Sequence, residues 1–442
     1  MGRQLGLFTA SSEADLFHDT NGKGFFSILV QGETRKYQSS YRVSDLHSVL
    51  ELADHSRDTW LSQCEFTRPN RQVVNLARIG LLFADLDTYK LPWGKGRSPE
   101  KLARSALYLC MEEGVPPPSI LIFSGQGLQA KWLLTNPLPR QALPRWNACQ
   151  RYLVERLQVV GADFAAKDAS RVLRVVDTKS SKSGKICRVV HIQSGSDGLP
   201  IRYCFEDLAE CLLPVDRWEI EQKRHARANR QKVTLAQGGR SGNRRGCLGR
   251  QLAWDRLEDL RRLVAIRGGV SVGERMHHLF WRLNFLLLSG ATHSSRVYLE
   301  AAALAAELDR SWGYGRSELT TLYSKAKAYE AGVQVEFEGR RYPALYTPRN
   351  STLISLFRIS DQEQRQLRTI ISPSIAAERH RVREEKRRRT AGVIPRGDFL
   401  AAGESRRLQA QSLKMQGLSI RAIAKQMGVS VGAVAGYLKV AS

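Results

Sequence analysis

Asp85-Leu86-Asp87 closes an apolar run that starts at Leu81, and it is the sharpest chemical signal in the chain. Residues i and i+2 of a strand point to one face, so both carboxylates project together from a strand end while Leu86 packs behind them. Paired carboxylates are hard oxygen ligands. With a third they can hold one or two Mg2+ or Mn2+ ions, which orient a triphosphate and activate an attacking 3′-oxygen; a solvated acidic strand end is the plainer alternative. The stretch Ser124-Gly125-Gln126-Gly127-Leu128-Gln129-Ala130-Lys131 adds glycines that let backbone approach phosphate oxygens, with donors on Ser124, Gln129 and Lys131. An ordinary glycine hairpin turn reads the same way. Farther on, Asp163 and Asp168 precede Arg171, Arg174 and Lys182. They supply a candidate third carboxylate and cations for an incoming triphosphate or template phosphates, or else ordinary surface ion pairs.

A different chemistry closes the chain. Ser419 caps one short helical pattern, Gly428 makes a turn, Ser430 caps a second, and Ile423, Val429, Val434 and Leu438 form a small core. This is a helix-turn-helix pattern, and it resembles the resolvase-type DNA-binding domain. Arg421 and Lys425 are expected at phosphates, with Ser430, Tyr437 and Lys439 completing the DNA-contacting set, and the small residues around Val431 to Gly436 leave few base contacts. A purely structural helical hairpin is the alternative. Cys187, His191, Cys204 and Cys211 lack a CxxC knuckle, so zinc is only a lesser reading. No phosphate-loop lysine motif occurs, which argues against a fused ATP-driven helicase.

The elements that must position these groups alternate between strand and helix over the first two hundred or so residues. Apolar β-rich runs predict strands over 25–31, 79–87, 120–123, 128–134, 171–176 and 187–193, and helical spacing predicts helices over 43–53, 99–114 and 144–159. Ser98 and Pro99 are a helix start, N-cap followed by proline at the first helical position. Residues 252–327 read as helical, 333–342 as a hairpin, and Ser360 to Glu363 as a capping box opening a helix to about residue 371. The run 378–389 is almost wholly charged, and reads as either a solvated helix or a phosphate-contacting arm.

Composition narrows the classes. The 442 residues are more than one hydrophobic core usually organises, and with 42% hydrophobic residues the chain folds rather than staying disordered. Lys plus Arg exceed Asp plus Glu by 68 to 43, a net charge of +25, which favours a polyanionic partner, nucleic acid before membrane. The most apolar run, 279–288, contains Arg282 and Asn284 and is too short to span a bilayer. No signal peptide is evident and the seven cysteines are scattered, so a cytoplasmic protein without membrane partners is expected. The expected organisation is a catalytic domain over 1–220, a basic glycine-rich linker over 221–250, a helical module over 251–332, a small hairpin, helix and charged arm over 333–403, and a helix-turn-helix over 404–442.

The order and spacing of the three N-terminal motifs, over roughly residues 20–215, resemble the archaeo-eukaryotic primase superfamily in the form found in plasmid and phage primase-polymerases. That family carries D-x-D on a strand, S-G-x-G-x-H on a hairpin, and a later Asp before R-x-L-R-L-P-G-T. The resemblance implies an α+β multidomain protein with a primase-polymerase-like, RRM-like catalytic domain and a helical accessory domain. It makes Asp85, Asp87 and Asp163 the catalytic metal ligands for Mg2+ or Mn2+. Asp168 competes for the third place. Ser124 and Gln129 become nucleoside-triphosphate contacts, and Arg171, Arg174 and Lys182 phosphate contacts. Gln129 stands where the family has His, and Val175-Val176-Asp177-Thr178 replaces Leu-Pro-Gly-Thr; a glutamine donates a neutral hydrogen bond but carries no proton or charge. The implied function is a plasmid-type replication protein, a DNA primase or DNA-directed nucleotidyltransferase. Its partners would be single-stranded template, duplex origin, nucleoside triphosphates and a host replication helicase. A non-catalytic origin-binding initiator is the rival. A rolling-circle nickase ranks low, since no His-x-His metal pair occurs.

Overall fold

The computed structural model describes residues 8–214, 247–337, 339–392 and 395–439. One compact unit holds the chain up to Leu353 together with Gln366–Ile370, and a second holds Ile354–Arg365 and the residues from Ile371 on.

The first unit opens with a mixed α+β fold: α1 (Ala10–Ala14), β1 (Phe25–Gln31), β2 (Lys36–Arg42), α2 (Leu46–Glu51), β3 (Thr59–Ser62), β4 (Cys64–Phe66), β5 (Leu76–Leu86), α3 (Pro99–Glu112), β6 (Ile120–Phe123), β7 (Leu128–Pro139), α4 (Leu143–Arg156), β8 (Val172–Arg174), β9 (Arg188–Ile192) and α5 (Phe205–Leu212). The nine strands make one sheet in the order β8-β3-β1-β4-β5-β7-β6-β9, with β2 added to β1, and every ladder is antiparallel. Strand β5 is central because it is apolar and buried on both faces from Ile79 to Ala84. Its lower half pairs with β4, but above Ile79 the edge facing away from β7 has no strand partner. Side chains of α4 fill part of that gap. Trp146 donates its indole N–H to the Leu81 carbonyl (3.0 Å), and the Gln150 amide both donates to the Phe83 carbonyl (2.5 Å) and accepts from the Phe83 N–H (3.3 Å).

Four further helices follow: α6 (Cys247–Ile266), α7 (Arg275–Leu288), α8 (Val297–Leu308) and α9 (Thr320–Glu330). A hairpin of β10 (Gln334–Phe337) and β11 (Arg340–Pro343) and helix α10 (Asn350–Leu356) come next. Of the expected linker, 221–246 lies outside the described residues. The stretch 247–250 is helical instead, since the buried series Ala253, Trp254, Leu257, Leu260 and Leu263 continues a helix that already starts at Cys247. These helices dock on the sheet domain through charged groups. Glu300 of α8 is fully buried, and its two carboxylate oxygens accept the N–H groups of Val73 (3.0 Å) and Val74 (3.1 Å), just before β5. Arg296 lies 3.7 Å from Asp168 and reaches the Gln72 side chain at 3.1 Å; Arg140 bonds both Glu258 (2.8 Å) and the Val74 carbonyl (3.1 Å). Asp259 of α6, 1% exposed, accepts the N–H groups of Arg368, Thr369 and Ile370 at 2.6 to 2.8 Å. That capture explains why the capping box at Ser360, which does form, opens only the short α11 (Asp361–Gln364): the amides expected to continue the helix are given to Asp259.

In the second unit α11 precedes α12 (Pro373–Thr390), α13 (Arg396–Met415), α14 (Ile420–Met427) and α15 (Val431–Leu438). The charged run is a helix, α12, exposed along nearly its whole length, with Ile375 its buried residue. Helix α13 runs through residue 404, where the sequence reading begins the last domain, because Ala410 and Leu413 share one small core with Ile423, Ala424 and Val434. Ser419 and Ser430 cap α14 and α15 through the N–H groups of Ala422 (3.3 Å) and Ala433 (3.2 Å), and Gly428 turns the chain at φ +65°. Arg421, Lys425 and Lys439 are exposed, whereas Tyr437 leans its ring on the core. Among the described residues no helix is long and apolar enough to cross a membrane.

Because Glu300 satisfies two buried backbone donors, its replacement by alanine leaves both without a partner. Glu300→Ala is expected to cost about 2–4 kcal/mol of stability by chemical denaturation. A loss below about 1 kcal/mol would show that the two amides find other acceptors.

Candidate active-site cleft

The open edge of β5 continues past Phe83, and there the chain itself closes it. The Asp163 N–H donates to the Asp85 carbonyl (2.8 Å), the Asp87 N–H donates to the Gly161 carbonyl (2.7 Å), and Leu86 bridges to Ala162. A short strand-like segment is thereby laid against the end of β5. It brings Asp163 beside the Asp85-Leu86-Asp87 pair. Burial pushes the Asp85 carboxyl up to about 6, and the neighbouring charges of Asp87 and Asp163 push in the same direction. Asp87 is held by the Lys90 ammonium at 2.5 Å.

Asp85 and Asp87 open into a cleft of about 440 Å³ that also receives Ser124, Gln129, Arg171, Arg174 and Lys182. Of the expected site residues, Asp163 lies outside its lining, with its carboxylate accepting the Ala165 N–H at 2.9 Å, and Lys131 is not brought there. On β7 it alternates onto the same face as Gln129, but α1 covers that end: Lys131 is 1% exposed, paired with Glu13 at 2.6 Å and stacked over Phe17 at 4.4 Å. Asp168 does not line the cleft and is held by Arg171 (3.2 Å) and Arg296 (3.7 Å). Burial would raise its carboxyl, but those cations and the Ser170 hydrogen bond outweigh that and hold it low.

Other assignments change their physical meaning. The glycines of the 124–129 turn serve close packing: a Cβ on Gly127 would stand 2.3 Å from the Leu86 carbonyl oxygen, and one on Gly125, at φ +103°, 2.6 Å from the Ser180 Cβ. Gln129 is 2% exposed, and with its amide oriented to suit its surroundings it accepts the Arg174 N–H (2.8 Å) and donates to the Arg174 carbonyl (3.3 Å). It therefore laces β7 to β8. Asp177, where the resembled motif has Gly, adopts φ +69°, a glycine-favouring conformation, and its carboxylate accepts the Ala10 N–H at 3.2 Å.

Sequence reasoning missed Asp58, Trp60 and Lys36, all of which line the cleft. Asp58, 6% exposed, accepts hydrogen bonds from the Ser181 N–H (3.0 Å) and hydroxyl (2.5 Å) and from Arg174. Burial alone would raise its carboxyl, and these partners hold it below its usual value. Trp60 lies between two cations, Lys36 at 4.1 Å and Arg174 at 5.2 Å from its ring. Nothing in the local sequence marks Asp58 or Trp60, because short polar-flanked β3 carries no strong strand signal. The cysteines and histidine weighed for zinc do not gather: Cys187 is buried, Cys204 and Cys211 are exposed, and among the described residues no cluster of three His, Cys, Asp or Glu side chains stands ready to hold a metal.

No family model matches this chain. Solved structures similar to it include the AEP domain of the cyanophage S-2L primase-polymerase, 13% identical with a TM-score of 0.33, covering 46% of this chain and 95% of that one. Primase RepB′ is 13% identical with a TM-score of 0.30, covering 73% and 99%. Among curated proteins, a replication protein of Clostridium perfringens is 25% identical over 353 residues, covering 80% of this chain and 77% of that protein. Over four-fifths of its length, then, this chain is similar in sequence to a replication protein.

Proposed function

We propose that this chain is a plasmid-type replication protein whose sheet domain carries out metal-dependent nucleotidyl transfer on a DNA template, making or extending a primer. The observation that carries the reading is the meeting of Asp85 and Asp87 with the cations Arg171, Arg174 and Lys182 around one cleft, with the backbone of Asp163 paired to that of Asp85 at its edge. The donor set is oxygen only and self-repelling, which fits a hard divalent cation, Mg2+ or Mn2+. Asp85 and Asp87 would hold it, and Asp163, whose carboxylate accepts the Ala165 N–H at 2.9 Å, would have to turn toward them to complete the set, since among the described residues no three carboxylates are gathered for an ion as they stand; when bound, such an ion supplies charge neutralisation for a triphosphate and for the attacking oxygen. Since Asp87 is engaged by Lys90, it must exchange that ammonium for the ion. Asp58 fixes Arg174 at the cleft, Ser124 offers a hydroxyl, and Trp60 holds Lys36 and Arg174 over its ring at the cleft wall. The sequence similarity to a replication protein supports the setting; the ligands in this reading are nucleoside triphosphates and a single-stranded template, and the partner a host helicase. Helices α14 and α15 would dock on duplex origin DNA, Arg421 and Lys425 at phosphates. A non-catalytic initiator is the second reading, favoured by Gln129, whose amide is spent on the Arg174 backbone.

The deciding experiment is template-dependent incorporation of labelled nucleotides with Mg2+ or Mn2+. Asp85→Ala and Asp87→Ala should each lower incorporation at least about a hundredfold while leaving duplex binding near wild type. Wild-type incorporation by both variants would exclude this cleft as the catalytic site, and no incorporation by the unmodified protein favours the initiator.

Gln129→Ala should lower stability by about 1–3 kcal/mol and reduce incorporation, because it loosens the strand that carries Arg174. Gln129→His should also lower the thermal midpoint, since one imidazole cannot both donate to and accept from the same backbone unit as the amide does. An unchanged midpoint for both variants would remove the lacing role.

Arg421→Ala combined with Lys425→Ala should weaken duplex binding and reduce the slope of log affinity against log salt by about 2. Incorporation on a primed single strand should stay near wild type. An unchanged slope in competition binding would take duplex contact away from this helix pair.

A further inference from the structure

The sheet domain, helices α6, α7 and α9 and the segment after α7 line a second, partly open cavity of about 500 Å³, a size suited to a small-molecule ligand. Its floor is apolar, with Leu287, Ala291 and Leu345, and Tyr329 adds an aromatic side chain. Its polar wall is cationic: Arg151 from α4, Lys167 from the loop before β8, and Arg250 from α6. Gly290, at φ +70°, leaves room for Arg250, whose Nε would lie 3.4 Å from a Cβ at that position.

The two carboxylates that line the cavity are already engaged. Asp168 is neutralised by Arg171 and Arg296, and Glu330 accepts the Ser294 N–H (2.5 Å) and hydroxyl (2.6 Å). Arg151 has Glu155 at 3.6 Å, without a hydrogen bond to its Nε. Two other donors in the wall are buried and unpartnered, the Asn147 Nδ2 and the hydroxyl of Thr292, which is 6% exposed. Burial holds the Lys167 ammonium below its ordinary value; Glu155 opposes the shift, and Arg151 and Arg250 reinforce it. Cations gathered at mutual cost beside unspent buried donors are the complement of an anion with several acceptor oxygens. The apolar floor and the tyrosine suit a flat hydrophobic group attached to it.

We propose that this cavity is a second phosphate-binding site, taking a nucleoside 5′-phosphate, either as a free nucleotide or as the 5′ end of a strand. It is separate from the carboxylate cleft, and it stands whether or not that cleft is catalytic.

The test uses full-length protein carrying Asp85→Ala and Asp87→Ala in the presence of EDTA, so that the first cleft is disabled. Calorimetric titration with ATP, with 5′-phosphorylated dithymidine and with its unphosphorylated form should show binding of at least one phosphorylated probe and none of the unphosphorylated one. ATP alone identifies a free nucleotide; the phosphorylated dinucleotide as well identifies a strand end. Adding Lys167→Ala and Arg250→Ala should weaken the binding at least tenfold, with the thermal midpoint of the unliganded protein as the check on folding. If that midpoint falls, Asn147→Leu, which removes one buried donor and no charge, takes the place of the double change and should weaken binding measurably. Absence of binding by both phosphorylated probes, or affinity unchanged in a folded variant, overturns the proposal.

Discussion

The open upper edge of β5 is the constraint on which the rest of the site depends. Backbone amides and carbonyls inside a folded protein need partners, and β5 has a strand partner on that stretch only along β7. The chain answers with Trp146 and Gln150 for the lower positions and with the 161–163 segment for the upper ones. The second answer has chemical content. The same hydrogen bonds that satisfy Asp85 and Asp87 as backbone bring Asp163 into the neighbourhood of their carboxylates, so like charges are drawn near one another by a ladder that is indifferent to charge. Burial first, and repulsion from Asp87 and Asp163 after it, raise the Asp85 carboxyl, which is the electrostatic cost of that placement.

Charge is managed in the opposite way elsewhere. Arg174 is held by Asp58, Arg171 by Asp168, and Asp168 in turn by Arg296 of the helical region. The two arginines that face the cleft are thus each held in place by a carboxylate, Arg171 by Asp168, which lies outside the cleft lining, and Arg174 by Asp58, which shares it. Cations fixed in position before a ligand arrives are the pre-organisation that phosphate recognition requires. The series also joins the cleft to the second cavity, since Asp168 lines one and its partner Arg171 the other.

Much of this was legible in the sequence, and the limits follow a physical pattern. Long apolar runs and proline or serine caps announced β1, β5, β6 and α3 within a few residues, because local propensity and burial agree there. The cleft groups carried by motifs, Asp85, Asp87, Ser124, Arg171, Arg174 and Lys182, do converge. What the sequence concealed depends on contacts between distant segments. Lys131 looks like a phosphate ligand until Glu13, 118 residues earlier, buries it. Gln129 looks like a weakened histidine until the Arg174 backbone is seen across from it. The capping box at Ser360 predicts a long helix that Asp259 cuts short by taking its amides. Short strands β2 to β4, exposed or polar-flanked, gave no periodicity to read, and Asp58 and Trp60 were hidden with them.

Glu300 has a consequence for how such a protein can evolve. Its carboxylate, on a helix more than two hundred residues later in the chain, closes the backbone immediately ahead of the central strand. The sheet and these helices therefore share a seam made of buried hydrogen bonds, whose partners cannot be exchanged one side at a time. Recombination that swapped the sheet onto another helical partner would inherit open amides at Val73 and Val74 unless the newcomer brought an acceptor to the same spot. The two parts are consequently expected to travel together through lineages as one inherited piece, whereas a terminal segment with its own small core is free to be replaced.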